Sequence, residues 1–228
     1  MKPKQIVELV QARYADLIES IEILDCVCIE VKSSSVRQLC IGLRDDADLA
    51  MKQLMDLCGV DFLHYGYSQW RQQQSTTTGY SRARIPDEGE QVIAWGHARY
   101  AVVYQLLSLS GNHRLRLKVF LEPEPAIDSV VDIWPSAHWY EREAYDLFGI
   151  VFNGHPDLRR LLTDYGFNGH PFRKDFPLIG EVEMRYDAKK EACVYEPVSI
   201  QPRTLVPRVI RQDNRYLKLA EDEVGPND

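Results

Sequence analysis

The sequence predicts an α+β fold in which helices cover one face of a mixed sheet. Apolar residues recur at helical spacing near the start of the chain and again from Val36 to Leu43. Apolar and polar residues alternate strictly over residues 114 to 121, and residues 100 to 107 are apolar on both faces. Since a period of 3.6 indicates a helix and a period of two a strand, the predicted order is helix, two strands, helix and three strands in two layers.

The first part of the chain contains the first helix, two strands and the second helix. Apolar side chains at helical spacing predict an amphipathic helix over residues 3 to about 18. Short alternating segments predict strands over residues 21 to 23 and 27 to 31. The serines at 33 to 35 predict the N-cap of the second helix, whose buried stripe consists of Val36, Leu39, Cys40 and Leu43.

The middle of the chain completes the predicted sheet. A period of two from about Leu54 to Tyr65 predicts a strand with a bend at Gly59. Residues 69 to 97 are polar and lack periodicity, so we predict a long loop or partly disordered insertion there. Strands over residues 100 to 107 and 114 to 121 follow, and residues 1 to 135 form one α+β domain.

A third helix opens the second half of the chain. Pro135 and Ser136 predict its start, and Gly149 is placed to end it as a left-handed C′ residue. Its predicted buried stripe consists of Ala137, Tyr140, Ala144, Leu147 and Phe148. This helix and an irregular loop segment make up residues 136 to 180. Residues 181 to 228 predict a hairpin and an extended C-terminal arm with a mobile acidic tail.

The composition excludes several classes of protein. A net charge of -7 and a pI of about 5.4 argue against nucleic-acid binding, which needs a concentrated basic surface. No apolar run approaches the roughly 18 to 20 residues that span a bilayer, and no secretory leader is recognisable, so we expect a chain that neither crosses a membrane nor is secreted. Five cysteines predict a reducing compartment.

A repeated pentapeptide marks the irregular segment: FNGHP spans Phe152 to Pro156 and again Phe167 to Pro171. Gly and Pro interrupt this segment too often for a long helix or a central strand. Its shape must therefore come from side-chain hydrogen bonds and ion pairs. Since arginine and aromatic residues are enriched at interface hot spots, we predict a rigid loop that docks onto another protein. It would present Arg159, Arg160, Arg173, Lys174 and Asp175, supported by Tyr165, Phe167, Phe172 and Phe176.

The charged residues of the third helix admit two interpretations. Glu141, Arg142, Glu143 and Asp146 predict a polar helix face, on which Arg142 and Asp146 have ion-pair spacing. Alternatively, the excess acid pairs with the downstream arginines and folds the FNGHP loop back over the helix.

His155 and His170 each precede a proline. An acid–base or ligand role is open to them, because histidine titrates near neutral pH. The sequence favours the alternative that each ring satisfies loop carbonyls without strand partners. The common catalytic motifs and any C-x-x-C pair are missing from the sequence. A stand-alone metal-dependent hydrolase using His138, Glu141, His155 and His170 is the lower-ranked hypothesis.

The second half of the chain resembles a known family. EREAYDLFGI, GHPDLRR, LTDYGF and RKDFPL follow one another as in the 30 kDa subunit (lettered C) of the proton-translocating NADH-quinone oxidoreductase, respiratory complex I. AVVYQLLSLSGNHRLRLKV, DIWPSAHWYERE and VYEPV are similar as well. The resemblance covers about residues 3 to 216 and is weakest from 69 to 97.

The resemblance implies a cofactor-free subunit of the hydrophilic arm. It would pack against the hydrogenase-like subunit (lettered D), which helps to form the quinone site, and against neighbouring peripheral-arm subunits. FMN, iron–sulfur clusters and quinone are expected in the partner subunits, and no catalytic, cofactor-binding or metal-binding residue is expected in this chain. The family motif carries over as structural and interface positions, which are Glu141, Arg142, Glu143, Asp146, Gly149, His155, Pro156, Arg159, Arg160, Asp164, Tyr165, Gly166, His170, Pro171, Arg173, Lys174, Asp175 and Pro177.

The same resemblance implies a location and an alternative. We expect the cytoplasmic face of the bacterial inner membrane, or the matrix side of the mitochondrial one, with attachment only through the complex. The alternative is the equivalent subunit of a membrane-bound hydrogenase or of an F420- or ferredoxin-dependent complex.

Overall fold

The computed structural model describes residues 1–72, 84–91 and 95–200. The chain divides into two units, one of residues 1–64 and 96–199 and the other of residues 65–95 and 200–228. Most of the predicted C-terminal arm and its acidic tail, residues 201–228, lies outside the described residues.

The helices and the strands of the main sheet follow the predicted order, and four further strands that were not predicted lie among them. In chain order they are α1 (Pro3–Tyr14), β1 (Ile18–Ile23), β2 (Val27–Val31), α2 (Val36–Asp45), β3 (Gln53–Asp61), β4 (Tyr67–Gln72), β5 (Arg84–Gln91), β6 (Tyr100–Ser108), β7 (His113–Leu121), β8 (Ala126–Asp128), α3 (Ala137–Phe148), β9 (Val151–Asn153), β10 (Val182–Asp187) and β11 (Ala192–Pro197). Five strands form one sheet in the order β1-β2-β7-β6-β3. Strands β2 and β7 are parallel and the other neighbours antiparallel, so the predicted mixed sheet is confirmed.

The hydrophobic core lies between the sheet and its helices. The predicted stripe of α2 is confirmed, because Val36, Leu39, Cys40 and Leu43 are all fully buried. Strand β7 places alternate residues in the same core, and β6 is apolar on both faces as expected. All three helices contribute side chains to this one cluster, which makes the domain a two-layer fold.

Helix α3 also covers the free edge of β3. The Tyr140 hydroxyl donates to the Met55 carbonyl of β3 at 3.0 Å, and just ahead of the two elements the indole Nε1 of Trp134 donates to the Met51 carbonyl at 3.1 Å. The helix end lies so close to the strand that a Cβ at Gly59 would come within 2.7 Å of the Phe148 ring. An edge strand without a neighbour exposes unpaired carbonyls, and here the Tyr140 hydroxyl satisfies that of Met55.

The structure corrects several predicted boundaries. Helix α1 ends at Tyr14, and a 3-10 turn covers Ala15–Leu17. Strand β3 ends at Asp61, and its pairing is irregular between Leu54 and Asp56 rather than bent at Gly59. The serines before α2 form a 3-10 turn, and neither Ser35 nor Ser136 caps its helix with its side chain.

The prediction of a loop over residues 69 to 97 is wrong for the part that the structure describes. Strands β4 and β5 pair there as an antiparallel hairpin. A ladder between two polar segments leaves no apolar alternation in the sequence, so periodicity could not reveal it. Residues 73–83 and 92–94 of this insertion lie outside the described residues.

Two further strand pairs occur in the second half of the chain. The hairpin predicted after residue 180 is confirmed as β10 and β11. The parallel pair of β8 and β9 was not predicted, since each strand has only three residues. Across the described ranges, no helix is long and apolar enough to cross a bilayer.

Candidate docking surface

The segment after α3 is held by the side chain of Asp146, which lies near the end of that helix. Its Oδ2 accepts hydrogen bonds from three consecutive backbone N–H groups, of Leu161, Leu162 and Thr163, at 3.0, 2.7 and 2.9 Å. Its Oδ1 accepts from Arg160 Nη1 at 2.8 Å and from the Thr163 hydroxyl. Asp146 thereby satisfies loop N–H groups that no strand could satisfy.

The environment of Asp146 keeps it ionised. Burial by itself would raise its pKa, because a poorly solvated site disfavours the charged form. The hydrogen bonds from the Thr163 side chain and from the three N–H groups outweigh burial and hold the pKa of Asp146 well below its usual range. The carboxylate therefore carries its charge throughout the physiological pH range.

Two arginines donate hydrogen bonds to backbone carbonyls of the segment. Arg142 donates to the carbonyls of Arg159 and Arg160 at 3.2 and 3.1 Å. Arg160 pairs with Asp146, and its Nη2 donates to the Gly169 carbonyl at 3.0 Å. The predicted pair of Arg142 with Asp146 is thus wrong. The alternative, in which downstream arginine pairs with helix carboxylate and folds the loop back, is confirmed.

The histidines of both repeats bind backbone groups. Nε2 of His155 lies 3.2 Å from the His138 carbonyl, and its Nδ1 accepts from the Asp157 N–H at 3.0 Å. A ring that accepts at Nδ1 and donates at Nε2 is neutral. His170 donates from Nδ1 to the Asp146 carbonyl at 2.8 Å. Burial lowers the pKa of both rings. The two histidines therefore bind backbone groups, as the sequence favoured, but the carbonyls belong to α3 rather than to the loop.

The end of α3 requires glycine. Gly149 has a φ of 73° and donates its N–H to the Tyr145 carbonyl, which confirms it as the left-handed C′ residue. A Cβ here would come within 2.5 Å of the Arg173 guanidinium and 2.6 Å of the His170 ring. Arg173 uses this space to donate to the Phe148 carbonyl at 2.7 Å while its guanidinium lies over the Tyr100 ring.

A second buried carboxylate joins the segment to the sheet. Asp61, at the end of β3, accepts two hydrogen bonds from Arg99 at 2.9 and 2.8 Å. Its Oδ2 also accepts from the backbone N–H of Lys174 at 2.8 Å. Arg99 in turn pairs with Asp175 at 3.0 Å. Residues 174 and 175 are therefore fixed to β3, 113 positions earlier in the chain.

Glu141 is a third buried carboxylate, and it binds the segment that precedes α3. Its oxygens accept from the Ser129 hydroxyl at 2.6 Å and the Val130 N–H at 2.7 Å. Burial raises the pKa of Glu141 to about 7, although both hydrogen bonds oppose that shift. The predicted polar face of α3 is therefore wrong at Glu141, Arg142 and Asp146, all of which are buried. Glu143 is half-buried.

The segment presents several large apolar side chains to solvent beside its exposed charged residues. Tyr165 is 88% exposed and Leu178 is fully exposed, and Leu162 and Phe172 are also largely exposed. Arg159 is exposed and paired with Asp157 at 2.9 Å. Of the residues expected to face a partner, Arg160 and Arg173 instead bind this chain's own carbonyls. Six further positions of the family motif have these exposures. Pro171 is half-buried, and the exposed ones are Pro156, Asp164, Gly166, Lys174 and Pro177.

Sequence reasoning missed several residues that shape this site. Asp61, Arg99 and Ser129 each contact it from a distant part of the chain. Their spacing carries no signal, because the contacts depend on which strand ends meet. Leu162 and Leu178 were missed because exposed leucine in a loop resembles core leucine in sequence.

The residues of the metal-hydrolase hypothesis serve other contacts. The rings of His138 and His155 stack at 4.8 Å, while Glu141 binds Ser129 and His170 binds the Asp146 carbonyl. In the parts of the chain that the structure covers, no group of three or more His, Cys, Asp or Glu residues is arranged to hold a metal ion.

The fold and this segment define an α+β protein whose second half is a structured loop fixed by buried carboxylates. The family model described as "Respiratory-chain NADH dehydrogenase, 30 Kd subunit" matches residues 29–182. The chain belongs to this 30 kDa subunit family, which confirms the resemblance found in its motifs.

Full-length relatives agree with this assignment. The chain is 56% identical over 228 residues to the NADH-quinone oxidoreductase subunit lettered C of Coxiella burnetii (strain Dugway 5J108-111), a match that covers 99% of this chain and 100% of that protein. It is 52% identical over 218 residues to the subunit of the same name from Legionella pneumophila (strain Paris), covering 95% and 96%.

A solved structure shows the same fold. The membrane-bound sulfane sulfur reductase (MBS), an archaeal respiratory membrane complex, contains a chain that matches with a TM-score of 0.50 and 17% identity. The match covers 78% of this chain and 88% of that chain.

Proposed function

We propose that this chain is a non-catalytic assembly subunit of the hydrophilic arm of NADH-quinone oxidoreductase. It docks onto the hydrogenase-like subunit of the quinone site at the cytoplasmic face of the inner membrane and thereby supports electron transfer from NADH to quinone. The observation that carries this proposal is the set of exposed apolar side chains on a segment that is fixed from the inside. Its relatives are named as subunits of the same enzyme.

The internal hydrogen bonds support docking because they prepare the surface in advance. Asp146 and Asp61 hold the backbone around Leu162 and Lys174 before any partner arrives. A surface that is already ordered loses less conformational entropy on binding, so more of the contact energy stabilises the complex. In the complex, the exposed apolar residues form the centre of the contact, while Arg159 and Lys174 lie at its polar rim.

The arrangement of polar groups supports a role without catalysis. Both ring nitrogens of His155 and the Nδ1 of His170 already bind backbone groups, so these histidines are structural. FMN, iron–sulfur clusters and quinone are then held by partner subunits. The alternative of a hydrogenase or an F420-dependent complex is less well supported, since the full-length relatives above are named for the NADH enzyme.

Two matched leucine substitutions test the proposal. Leu178→Asp places a charge on the docking segment, and Leu109→Asp places the same charge on an exposed leucine in the turn between β6 and β7. Each variant replaces the resident chain in cells. The fraction that co-purifies with the hydrogenase-like subunit in mild detergent is measured together with NADH-driven quinone reduction. We expect Leu178→Asp to lower both about tenfold and Leu109→Asp to lower neither. Equal behaviour of the two variants would contradict docking at this surface.

A further inference from the structure

One face of the hairpin of β10 and β11 consists of uncharged side chains. Directly opposed residues of an antiparallel pair lie on the same face, and alternate pairs share it. The pairs on this face are Val182 with Pro197, Met184 with Tyr195, and Tyr186 with Cys193. Val182, Met184, Tyr186 and Tyr195 are each 60 to 67% exposed. No other helix or strand of the described residues packs extensively against this hairpin.

The opposite face of the same hairpin is charged, and its charged side chains are hydrogen-bonded within this chain. Arg185 binds Glu196 through two hydrogen bonds of 2.7 and 3.1 Å, and the Ser199 hydroxyl donates to Glu183 at 2.8 Å. These charges need no partner from another protein. The two faces therefore differ in kind, because one is a closed polar surface and the other is open and apolar.

We propose that the apolar hairpin face, formed by Val182, Met184, Tyr186, Cys193, Tyr195 and Pro197, binds an uncharged apolar surface on the subunit that the loop segment docks against. This inference rests on the proposed function and extends its contact to a second element. The partner surface must be uncharged where it meets this face, since the face offers no charged group to pair with a buried charge. A hairpin of two strands is marginally stable in water, and docking would stabilise it.

The size of the face argues for a different subunit rather than a second copy of this chain. Its four large side chains are 60 to 67% exposed, so even at the roughly 250 Å2 of the largest aromatic side chains they would offer at most about 650 Å2. A stable interface needs about 800 Å2 from each partner, so two such faces could not hold a dimer together. The face can enlarge a contact that begins elsewhere. Leu178 and Ile179, both exposed, are separated from β10 only by Gly180 and Glu181, so the two surfaces are neighbours along the chain.

Two lysine substitutions on opposite faces of the hairpin test the proposal. Met184→Lys places a charge on the apolar hairpin face, whereas Ala192→Lys places it on the charged face, opposite Asp187. Each full-length variant replaces the wild-type chain in cells. The amount of variant chain per enzyme complex purified in mild detergent is then measured relative to wild type. We expect Met184→Lys to lower that amount about tenfold and Ala192→Lys to change it less than about twofold. Amide hydrogen exchange of the free variants checks that both hairpins still form.

The outcomes separate this inference from the proposed function. Normal assembly of Met184→Lys, with Leu178→Asp still defective, would overturn the hairpin contact alone. Normal assembly of both variants would overturn the proposed docking as well. Sedimentation measures the oligomeric state of the free wild-type chain and of free Met184→Lys. Self-association of the wild type that Met184→Lys abolishes would assign the face to a second copy of this chain and overturn the inference.

Discussion

Three buried carboxylates, those of Asp61, Glu141 and Asp146, bind backbone N–H groups of segments that have no regular partner. Their pKa values move in different directions. Burial acts to raise the pKa of all three carboxylates. Hydrogen bonds outweigh burial and lower the pKa at Asp61, where they come from Arg99 and two backbone N–H groups, and at Asp146, where they come from the Thr163 hydroxyl and three backbone N–H groups. Glu141 accepts only from Ser129 and Val130 among the described residues, and burial prevails.

Asp146→Asn should destabilise the protein strongly. The amide cannot replace both carboxylate oxygens as acceptors, and Arg160 would remain inside without its counter-charge. Removing one member of a buried ion pair costs about 3 to 5 kcal/mol. Urea unfolding measures the loss. Asp157→Asn, which breaks the exposed pair with Arg159, should cost at most about 1 kcal/mol, and equal losses in the two variants would refute the anchoring role.

Glu141→Gln should change how stability depends on pH. The pKa of Glu141 is raised from 4.5 to about 7 in the folded chain, so its contribution to stability is complete below about pH 4.5 and is lost as pH rises to about 7. Glutamine cannot ionise. The unfolding free energy of the variant relative to wild type should therefore rise with pH, by up to about 3 kcal/mol between pH 4 and pH 8. A difference that stays constant with pH would disprove this.

At the scale of elements, α3 does more than contribute to the core. Its apolar residues pack on the sheet, and its Tyr140 hydroxyl donates to the Met55 carbonyl at the edge of β3. Its Arg142 and Asp146 bind backbone groups of the segment that follows. A helix that buries charged side chains on one side and apolar ones on another has no solvent-facing polar stripe of the usual kind. This explains why the sequence periodicity of α3 predicted an exposed position for Glu141, Arg142 and Asp146, which are buried.

Two glycine substitutions separate strain from steric conflict at the end of α3. Gly149 and Gly154 both have positive φ, of 73° and 79°. A Cβ at Gly149 meets Arg173 and His170, whereas a Cβ at Gly154 meets nothing within 4 Å. We expect Gly154→Ala to cost about 1 kcal/mol from backbone strain and Gly149→Ala to cost about 2 kcal/mol more. The melting temperatures of the two variants measure the difference. Equal melting temperatures would show that the Arg173 and His170 side chains move aside from a Cβ at Gly149 without cost.

At the scale of the whole molecule, the loop segment from about residue 150 to residue 180 is fixed to the domain at two places. Asp146 holds the chain around Leu162 to α3, Asp61 holds the Lys174 N–H to the end of β3, and Arg99 pairs with Asp175. The segment therefore keeps one position relative to the sheet. Its exposed apolar residues, from Leu162 to Leu178, are therefore carried by a backbone that is fixed to a domain with its own core.

Asp61→Asn should release the far end of the segment. The variant loses the ion pair with Arg99 and weakens the hold on the Lys174 N–H, so the chain around Arg173 and Lys174 should become accessible to trypsin. We expect cleavage there at least about tenfold faster than in wild type, followed by mass spectrometry of the fragments. Asp175→Asn loses only a half-exposed pair and should remain nearly as resistant as wild type. Equal resistance in both variants would show that Asp61 does not hold the segment.

The sequence by itself determined the order of helices and strands in the main domain, the stripe of α2, the hairpin after residue 180 and the family. These features depend on local periodicity, turn chemistry and contiguous motifs, which a single segment records. Only the tertiary structure decided that Asp146 binds Arg160, that Asp61 holds Lys174 from 113 positions away, and that Arg160 and Arg173 bind this chain's own carbonyls while Leu162 and Leu178 are exposed. The physical reason is that burial depends on what packs against a residue, and an arginine enclosed by carbonyls has the same sequence signature as one in solvent.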